Sequence, residues 1–460
     1  MLRLGTAACG ALSLPHLLQQ QALASASPKA RSCIFLFMWG GQPQQDMWDM
    51  KPNAPSGVRS PFETIQTSVP GILLSDRMQR IAQHADKLAI VRSLNHTTSD
   101  HGVSVYHALT GRAMSPPRTF PANDRRRTDF PSIGSMFSYL GEKSPLPASF
   151  SIPRPVAHDG LRYAGTHAGF LGSLHDPVEI GQVYNHVEVG PRPEETSRSN
   201  IPLTLPDEVS VTRLQARRGL LGLLEAQDRA LQKCPATSVY DGVYEDAYRL
   251  ISSPAVKNAL DLDQESAAAR DRYGRNEYGD SFLTSRRLIE AGIRLVSVNW
   301  MFITPAAKVY NVWDAHGGLN DLERGMNGYE QITAHYCLPA FDQAYSALLE
   351  DLAQRGLLDE TLVACVGEFG RTPRINGNNG RDHWPFGYSG VLAGGGIRGG
   401  SVYGSTDNQA AYVKDNPATP GDFLATICQA CGLDPHKEIH DLEGRPFQIC
   451  DGNPITSILA

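Results

Sequence analysis

The sequence predicts an α/β fold in which helices cover both faces of a mostly parallel sheet. Short, wholly apolar runs end at or near glycine, and helical stretches alternate with these runs. A strand buried on both faces appears as a continuous apolar run, and alternation of strands with helices is typical of parallel sheets. A length of 460 residues suits one large domain or two to three ordinary ones.

The strands are predicted from apolar runs and the helices from amphipathic periodicity. Predicted strands cover residues 33–39, 87–92, 293–299, 361–367 and 389–393. Predicted helices cover residues 101–109, 206–234, 241–272, 281–291, 328–355 and an apolar stretch, 422–431, that ends at Gly432. Residues 150–205 are rich in Gly, Pro and His and show little periodicity, so we expect irregular structure there.

Composition excludes several classes of protein. Lys and Arg number 42 against 48 Asp and Glu, a net charge of -6, which argues against a broad cationic nucleic-acid surface. No apolar run reaches the roughly 20 residues that a membrane span requires. Eight cysteines are too few for a disulfide scaffold in a chain of this length.

The first 26 residues read as an export signal. Arg3 precedes a weakly apolar stretch, residues 4–18, and small residues at 22–26 resemble a cleavage site. The alternative is an amphipathic first helix of the mature fold. With no repeat or linker in the remainder, we predict a single domain over 27–460 and an exported, periplasmic or extracellular protein.

Polar residues that follow the predicted strands form the candidate site, because ligands bind at the carboxyl ends of strands in such sheets. Asp314 and His316 make a short-range chelating pair, and His383 completes a set of three metal ligands. The alternative for either histidine is an ordinary loop residue. Nitrogen and oxygen donors suit a divalent metal, with zinc expected and calcium or manganese as alternatives.

Glu368 directly follows a strand, so its carboxylate should face the same edge. Arg371 is then either the ion-pair partner of Glu368 or a clamp for phosphate or sulfate. Thr98, Ser99 and His101 lie where a helix begins, and we expect them, together with Arg371, to be the catalytic residues. A helix N-terminus favours anions. A hydroxyl there is either a metal-activated nucleophile or a helix N-cap.

The order and spacing of these motifs resemble an exported bacterial family known as domain of unknown function 1501. The resemblance covers residues from about 30 to 450. It is carried by Gly40-Gly41, His101 with Leu109-Thr110-Gly111, Trp313-Asp314-Ala315-His316, Gly367-Glu368-Phe369-Gly370-Arg371-Thr372-Pro373 and Asp382-His383-Trp384. That family is similar to the alkaline phosphatase and sulfatase superfamily, which implies a three-layer αβα sandwich with a metal site at the strand ends.

Carried over, the resemblance assigns Asp314, His316 and His383 to one metal site. Glu368 stands at a second metal position, and Asp46 or Asp49 stands for the acidic residue after the first strand. The chain departs from the superfamily in having Phe369 where an imidazole is usual. It also lacks the sulfatase signature, so no formylglycine precursor is expected. The family's twin-arginine signal is represented only by Arg3, which suggests a truncated signal and a start codon placed too late.

Three functions follow as expectations. The first is a metal-dependent hydrolase of phosphate or sulfate esters, acting on a small-molecule or polysaccharide substrate. The second is a non-catalytic exported binding or accessory protein that keeps the fold and perhaps one metal. The third is another chemistry on the same sheet, such as phosphomutase or lyase activity. Fold alone does not decide between them.

Overall fold

Eight strands form the central sheet of the described part of the chain, numbered here in chain order. They are β1 Ser32–Phe37, β2 Leu88–Leu94, β3 Ser149–Ile152, β4 Val178–Glu179, β5 Leu295–Asn299, β6 Thr361–Val366, β7 Tyr388–Gly394 and β8 Ser401–Tyr403. Their spatial order is β8-β2-β7-β6-β1-β5-β3-β4. The pairings of β7 with β6 and β2 are antiparallel and the others are parallel, so the prediction of a mostly parallel sheet is confirmed.

The structure is a computed structural model. It describes residues 30–460 apart from 120–123, 143, 145, 159–160, 182–210, 228–246, 249, 301, 304–308, 311 and 318–325. The predicted export signal at 1–26 therefore lies outside the described residues. Among the residues that are described, no helix combines the length and the apolar character needed to cross a bilayer.

Helices cover both faces of the sheet. The helices of the described residues are α1 His101–Thr110, α2 Ile133–Leu140, α3 Val211–Gln227, α4 Pro254–Leu260, α5 Ala267–Tyr273, α6 Glu277–Glu290, α7 Gly328–Thr333, α8 Leu338–Gln354 and α9 Pro420–Ala430. One core packs α6 and α8 against the sheet, and the other packs α1, α2 and α9 against its opposite face. The predicted αβα sandwich is thus present.

Shorter elements fill the connections. Two-stranded ribbons pair Thr64–Gln66 with Leu73–Ser75, Ala157–His158 with Leu161–Arg162, Phe302–Ile303 with Val309–Tyr310, Gly370–Arg371 with His383–Trp384, Ser405–Thr406 with Val413–Asp415, and Glu438–His440 with Pro446–Gln448. Turns of 3-10 helix cover Gln44–Asp46, Ile81–Lys87, Gly169–Leu171, Ser173–His175, Leu262–Gln264, Leu358–Glu360 and Thr456–Ile458.

Strand β1 shows why the sequence predicts the sheet so directly. Phe35 and Phe37 pack in the core that contains α1 and α9, whereas Ile34 and Leu36 pack in the core that contains α6 and α8. Side chains alternate between the two faces of a strand, so burial on both faces demands an apolar residue at every position.

Several predicted elements differ from the observed ones. The helix expected over 328–355 is two helices, α7 and α8, because Cys337 adopts φ -109° and ψ -116° and Pro339 opens α8. The region 150–205, expected to be irregular, contributes β4, and β3 ends just inside it. Such short strands carry too few residues for a periodic pattern.

The layout brings several loops to one edge of the sheet. Strands β1, β2, β5 and β6 run in one direction, so the segments that follow them emerge together. Three of these segments are 40–46 after β1, 95–100 after β2 and 367–371 after β6. The candidate site lies where they meet.

Candidate metal centre

Three side chains from distant parts of the sequence meet at this edge. His101 is the first residue of α1, Asp314 follows β5 along the chain, and His383 lies in the ribbon paired with Arg371. One ligand atom from each of His101, Asp314 and His383 lies within 4.8 Å of the others. The structure therefore brings Asp314 and His383 together as predicted, and adds His101, which the sequence suggested for catalysis.

Each of three imidazoles turns its Nε2 atom towards the Asp314 carboxylate. His101 Nε2 is 3.3 Å from Oδ2, and His383 Nε2 is 3.0 Å from Oδ1. His316 Nε2 is 3.5 Å from Oδ2, so the fourth predicted donor is adjacent to the cluster. The result is one carboxylate surrounded by three ring nitrogens.

The other nitrogen of each ring is held by an acceptor. His101 Nδ1 donates to Glu368 Oε1 at 2.7 Å, His383 Nδ1 to the Ser99 carbonyl at 3.0 Å, and His316 Nδ1 to the Gly317 carbonyl at 3.0 Å. Metal-binding histidines commonly donate the non-ligating N–H to a carboxylate or carbonyl, which fixes the tautomer and the ring orientation. The donor set and its outer hydrogen bonds therefore fit a divalent cation.

Glu368 positions His101 and lies outside the three-residue cluster. Its carboxylate is fully buried and accepts the Gly40 N–H at 3.0 and 3.1 Å, in addition to His101 Nδ1. The sequence predicted Glu368 as a metal ligand. In the structure Glu368 instead accepts a hydrogen bond from His101, which belongs to the three-residue cluster. The prediction that its carboxylate faces this edge agrees with its place in the structure.

The turn at Gly40 makes this contact possible. Gly40 has φ +110°, and a Cβ atom there would lie 2.4 Å from the backbone nitrogen of Asp314. Only glycine combines this backbone conformation with such a close approach. The glycine that ends the first apolar run thus sets the spacing between Glu368 and Asp314.

Electrostatics keep the centre ionised. Burial alone would raise the pKa of Asp314, but Arg371 and His101 outweigh it and hold that pKa well below its usual range. Burial would lower the pKa of His101, but Asp314 and Glu368 outweigh it and raise the pKa to about 9. The hydrogen bond to Asp314 raises the pKa of His316, whereas burial lowers that of His383.

Arg371 is a buried structural cation. Its side chain is 1% exposed, and Nη2 lies 2.6 Å from Asp314 Oδ1. Nε donates to the Gly41 carbonyl at 2.9 Å, Nη1 to the Arg381 carbonyl at 3.1 Å, and Nη2 also to the Gly40 carbonyl. Two roles were suggested for Arg371, an ion pair with Glu368 or an anion clamp. Its ion pair is made with Asp314, and its 1% exposure leaves little guanidinium surface open to a substrate anion.

The acidic residues after β1 are engaged elsewhere. Asp46 is buried in an ion pair with Arg381, with Nε at 2.8 Å from Oδ2, and Tyr329 donates to it at 3.4 Å. Asp49 accepts from Thr406 and lies 3.0 Å from Lys51 Nζ. Neither belongs to the cluster found among the described residues, so the suggested metal role of Asp46 has no support from this arrangement.

The hydroxyl-bearing loop before α1 borders the cluster. Asp100 caps the helix by accepting the Val103 N–H at 3.0 Å, so neither Thr98 nor Ser99 is the N-cap. Thr98 Oγ1 accepts the Asp100 N–H at 3.3 Å, and Ser99 is exposed. Ser99 is therefore an exposed hydroxyl-bearing residue whose backbone carbonyl contacts His383.

Two residues that sequence reasoning did not assign also shape the centre. His96 Nε2 donates to the Glu368 carbonyl at 2.7 Å, which ties the hydroxyl loop to the end of β6. Phe369 packs against His383 at a centroid distance of 4.5 Å and against His101 at 4.9 Å. The sequence holds a signal for His96, because this residue lies in the polar segment 95–100 that follows β2.

The sequence profile of one family, described as "Protein of unknown function (DUF1501)", matches residues 30–459. The chain belongs to this DUF1501 family. The family description assigns no activity, so the chemistry of this DUF1501 protein has to be argued from its own side chains. No curated protein matches the chain.

Several solved protein structures are similar to this chain over most of its length, and enzymes are among them. A sulfatase from Pseudoalteromonas sp. has a TM-score of 0.38 and 12% identity, with 91% of this chain and 70% of that chain covered. A phosphonate monoester hydrolase from Silicibacter pomeroyi has a TM-score of 0.39 and 12% identity, and the match covers 93% of this chain and 76% of that chain. A protein of glycosaminoglycan metabolism from Bacteroides thetaiotaomicron has a TM-score of 0.41 and 13% identity, and the match covers 88% of this chain and 73% of that chain.

Proposed function

We propose that this DUF1501 protein is a metal-dependent hydrolase of phosphate or sulfate esters, with an alkaline-phosphatase-like arrangement of its site. The observation that carries the proposal is the convergence of three Nε2 atoms on Asp314, each ring held through Nδ1. His101, Asp314 and His383 would hold the ion, with His316 as a fourth donor. Zinc suits this nitrogen-rich set best, and calcium or manganese are the alternatives.

A bound divalent ion supplies Lewis acidity towards an ester oxygen and lowers the pKa of water or of a hydroxyl. The protein side chains orient the proposed metal ligands and cover part of their surface. Glu368 keeps the His101 ring directed at Asp314, and Phe369 shields one side of His383. Ser99 is the exposed hydroxyl-bearing residue proposed for nucleophilic attack.

Metal analysis and hydrolysis assays on the purified protein test the proposal. The wild type should hold a divalent ion and hydrolyse a generic aryl phosphate or aryl sulfate. Asp314→Asn should lose both properties, whereas Asp382→Asn, an exposed carboxylate beside His383, should keep both. A wild type that binds no divalent ion and hydrolyses neither ester contradicts the proposal.

A second function, an accessory binding protein without catalysis, is favoured by the burial of Arg371. Its guanidinium group is 1% exposed and donates to Asp314 and to three backbone carbonyls, so little of it can contact a substrate anion. This alternative predicts a tightly held ion together with no hydrolysis of either ester. The same two measurements therefore distinguish the two functions.

We also propose that the protein is exported and that residues 1–26 are its signal. The proposal rests on Arg3, the apolar stretch 4–18 and the small residues at 22–26. Fractionation of expressing cells followed by N-terminal sequencing tests it. Recovery of the protein in the cytoplasm with residues 1–26 intact contradicts it.

A further inference from the structure

The half-buried ring of Trp384 and the exposed rings of Phe386 and Tyr412 form a cluster, called here the aromatic platform. Trp384 contacts Phe386 at a centroid distance of 5.0 Å and Tyr412 at 5.5 Å, and Phe386 contacts Tyr412 at 5.9 Å. Phe386 is 39% exposed and Tyr412 is 54% exposed. Exposed apolar side chains in mutual contact mark binding surfaces more often than singly scattered ones do.

The aromatic platform is rigidly held. Trp384 Nε1 donates to the Ala411 carbonyl, and the Val413 N–H donates to the Phe386 carbonyl at 3.3 Å. The Asp407 carboxylate accepts the N–H groups of three residues in the loop that carries Tyr412: Gln409 at 3.0 Å, Ala411 at 2.9 Å and Tyr412 at 3.3 Å. Rings fixed before binding lose little entropy on binding a ligand.

The aromatic platform begins one residue beyond a proposed metal ligand. Trp384 directly follows His383 in the ribbon strand that pairs with Gly370–Arg371. Consecutive residues of a strand face opposite sides, so the Trp384 ring lies on the side of the ribbon opposite to the His383 ring. A substrate that uses both must carry an ester group at one end and a ring or chain that reaches past His383.

We propose that the aromatic platform binds a sugar ring, so that the substrate is an ester of a saccharide. This inference rests on the proposed function for the ester and deepens it by naming the substrate class. A pyranose presents a face of C–H groups that packs on the electron-rich face of an aromatic ring.

The surroundings of the rings support a sugar over a purely apolar ligand. Asn408 and Gln409 are exposed in the platform's own loop, and Asp382 is exposed one residue before His383. Amide and carboxylate groups around an apolar centre supply the directed hydrogen bonds that sugar hydroxyls require.

Calorimetric titration with hexasaccharides tests the inference without using hydrolysis. Neutral maltohexaose, cellohexaose and chitohexaose and a sulfated galactan hexasaccharide are the probes, each titrated in EDTA. We expect at least one to bind the wild type, and Phe386→Ala and Tyr412→Ala each to weaken that binding about tenfold. Tyr139→Ala, at an exposed ring (41%) on α2 outside the platform, is the matched control and should bind as the wild type does.

The outcomes are separable from those of the proposed function. Sugar binding in EDTA needs neither metal nor turnover, so loss of hydrolysis leaves it intact. Absence of binding to every hexasaccharide, or equal binding by the wild type and both platform variants with unchanged melting temperatures, overturns the inference. If an ester is hydrolysed, the platform variants should raise the KM for a saccharide ester more than they raise the KM for a small aryl ester.

Discussion

Four side chains share the single carboxylate of Asp314. His101, His316 and His383 approach it through Nε2, and Arg371 approaches it through Nη2 at 2.6 Å. Arg371 keeps Asp314 ionised, and an ionised carboxylate is the form that binds a cation. Asp314 is therefore the residue that all four side chains contact, and Arg371 and His101 lower its pKa.

Glu368→Gln tests whether Glu368 acts by orienting His101. The amide keeps the shape of the side chain and removes its negative charge, so the His101 ring is held less firmly. We expect zinc affinity to fall about 10- to 100-fold, the usual effect of losing an outer hydrogen-bond partner. Competition with a chromophoric chelator measures this, and Glu360→Gln, at a carboxylate that is 50% exposed, is the control. Equal zinc affinity in both variants would show that Glu368 has no such role.

His101 makes the stability of the metal-free protein depend on pH. The folded pKa is raised from 6.5 to about 9, so the protonated ring stabilises the fold. This contribution is fully present below about pH 6.5 and is lost as the pH rises through 9. Calorimetry in EDTA should show a melting temperature that falls over this window in the wild type and less in His101→Asn. Parallel profiles for the two proteins contradict the prediction.

At the scale of elements, the site depends on the turn that ends β1. The Gly40 N–H donates to Glu368, its carbonyl accepts from Arg371, and its Cα lies against the backbone of Asp314. This one turn therefore contacts both the segment after β6 and the segment that carries Asp314.

Gly40→Ala should damage the fold and the site together. The new Cβ would meet the Asp314 nitrogen at 2.4 Å in a backbone conformation unsuited to alanine, and we expect a loss of about 3 kcal/mol or more. Gly57→Ala is the matched control, because Gly57 also has positive φ (+80°) but open space around it. Urea unfolding should show a loss of only about 1–2 kcal/mol there. Similar losses in both variants rule out the close approach as the cause.

Some elements were readable from the sequence for a physical reason and others were not. Strand β1 is buried on both faces, and this burial requires an unbroken run of apolar residues, which is visible in the sequence. Strand β7 was predicted, but its antiparallel direction was not, because residue patterns carry no direction. Asp314, His316 and His383 lie near one another because the segments that follow parallel strands meet at one edge of the sheet, and their role as metal ligands stays a prediction. The burial of Arg371 was not foreseeable, since most of its acceptors are backbone carbonyls that no side-chain pattern reveals.

At the scale of the whole molecule, two cores share one sheet. Phe35 belongs to one core and Leu36 to the other, although they are neighbours on β1. A strand cannot leave one core without leaving the other, so the two cores are expected to unfold together.

A single calorimetric transition is therefore expected for the described fold. Phe35→Ala should cost about 3–5 kcal/mol and Leu36→Ala about 2–5 kcal/mol, and both should move the same transition to lower temperature. The wild type scanned under the same conditions is the reference. Two transitions, with each variant shifting a different one, contradict the single-domain prediction.

The wide separation of the metal ligands along the chain has a consequence for biosynthesis. The ribosome releases His101 early, but Asp314 and His383 emerge only after most of the chain has been made. A growing chain therefore offers no complete set of donors, and the sheet edge that gathers them exists only after β6 has joined β1. If His101, Asp314 and His383 hold an ion as proposed, its uptake would follow folding, and protein made under metal starvation should accumulate as folded apoprotein that later loading completes.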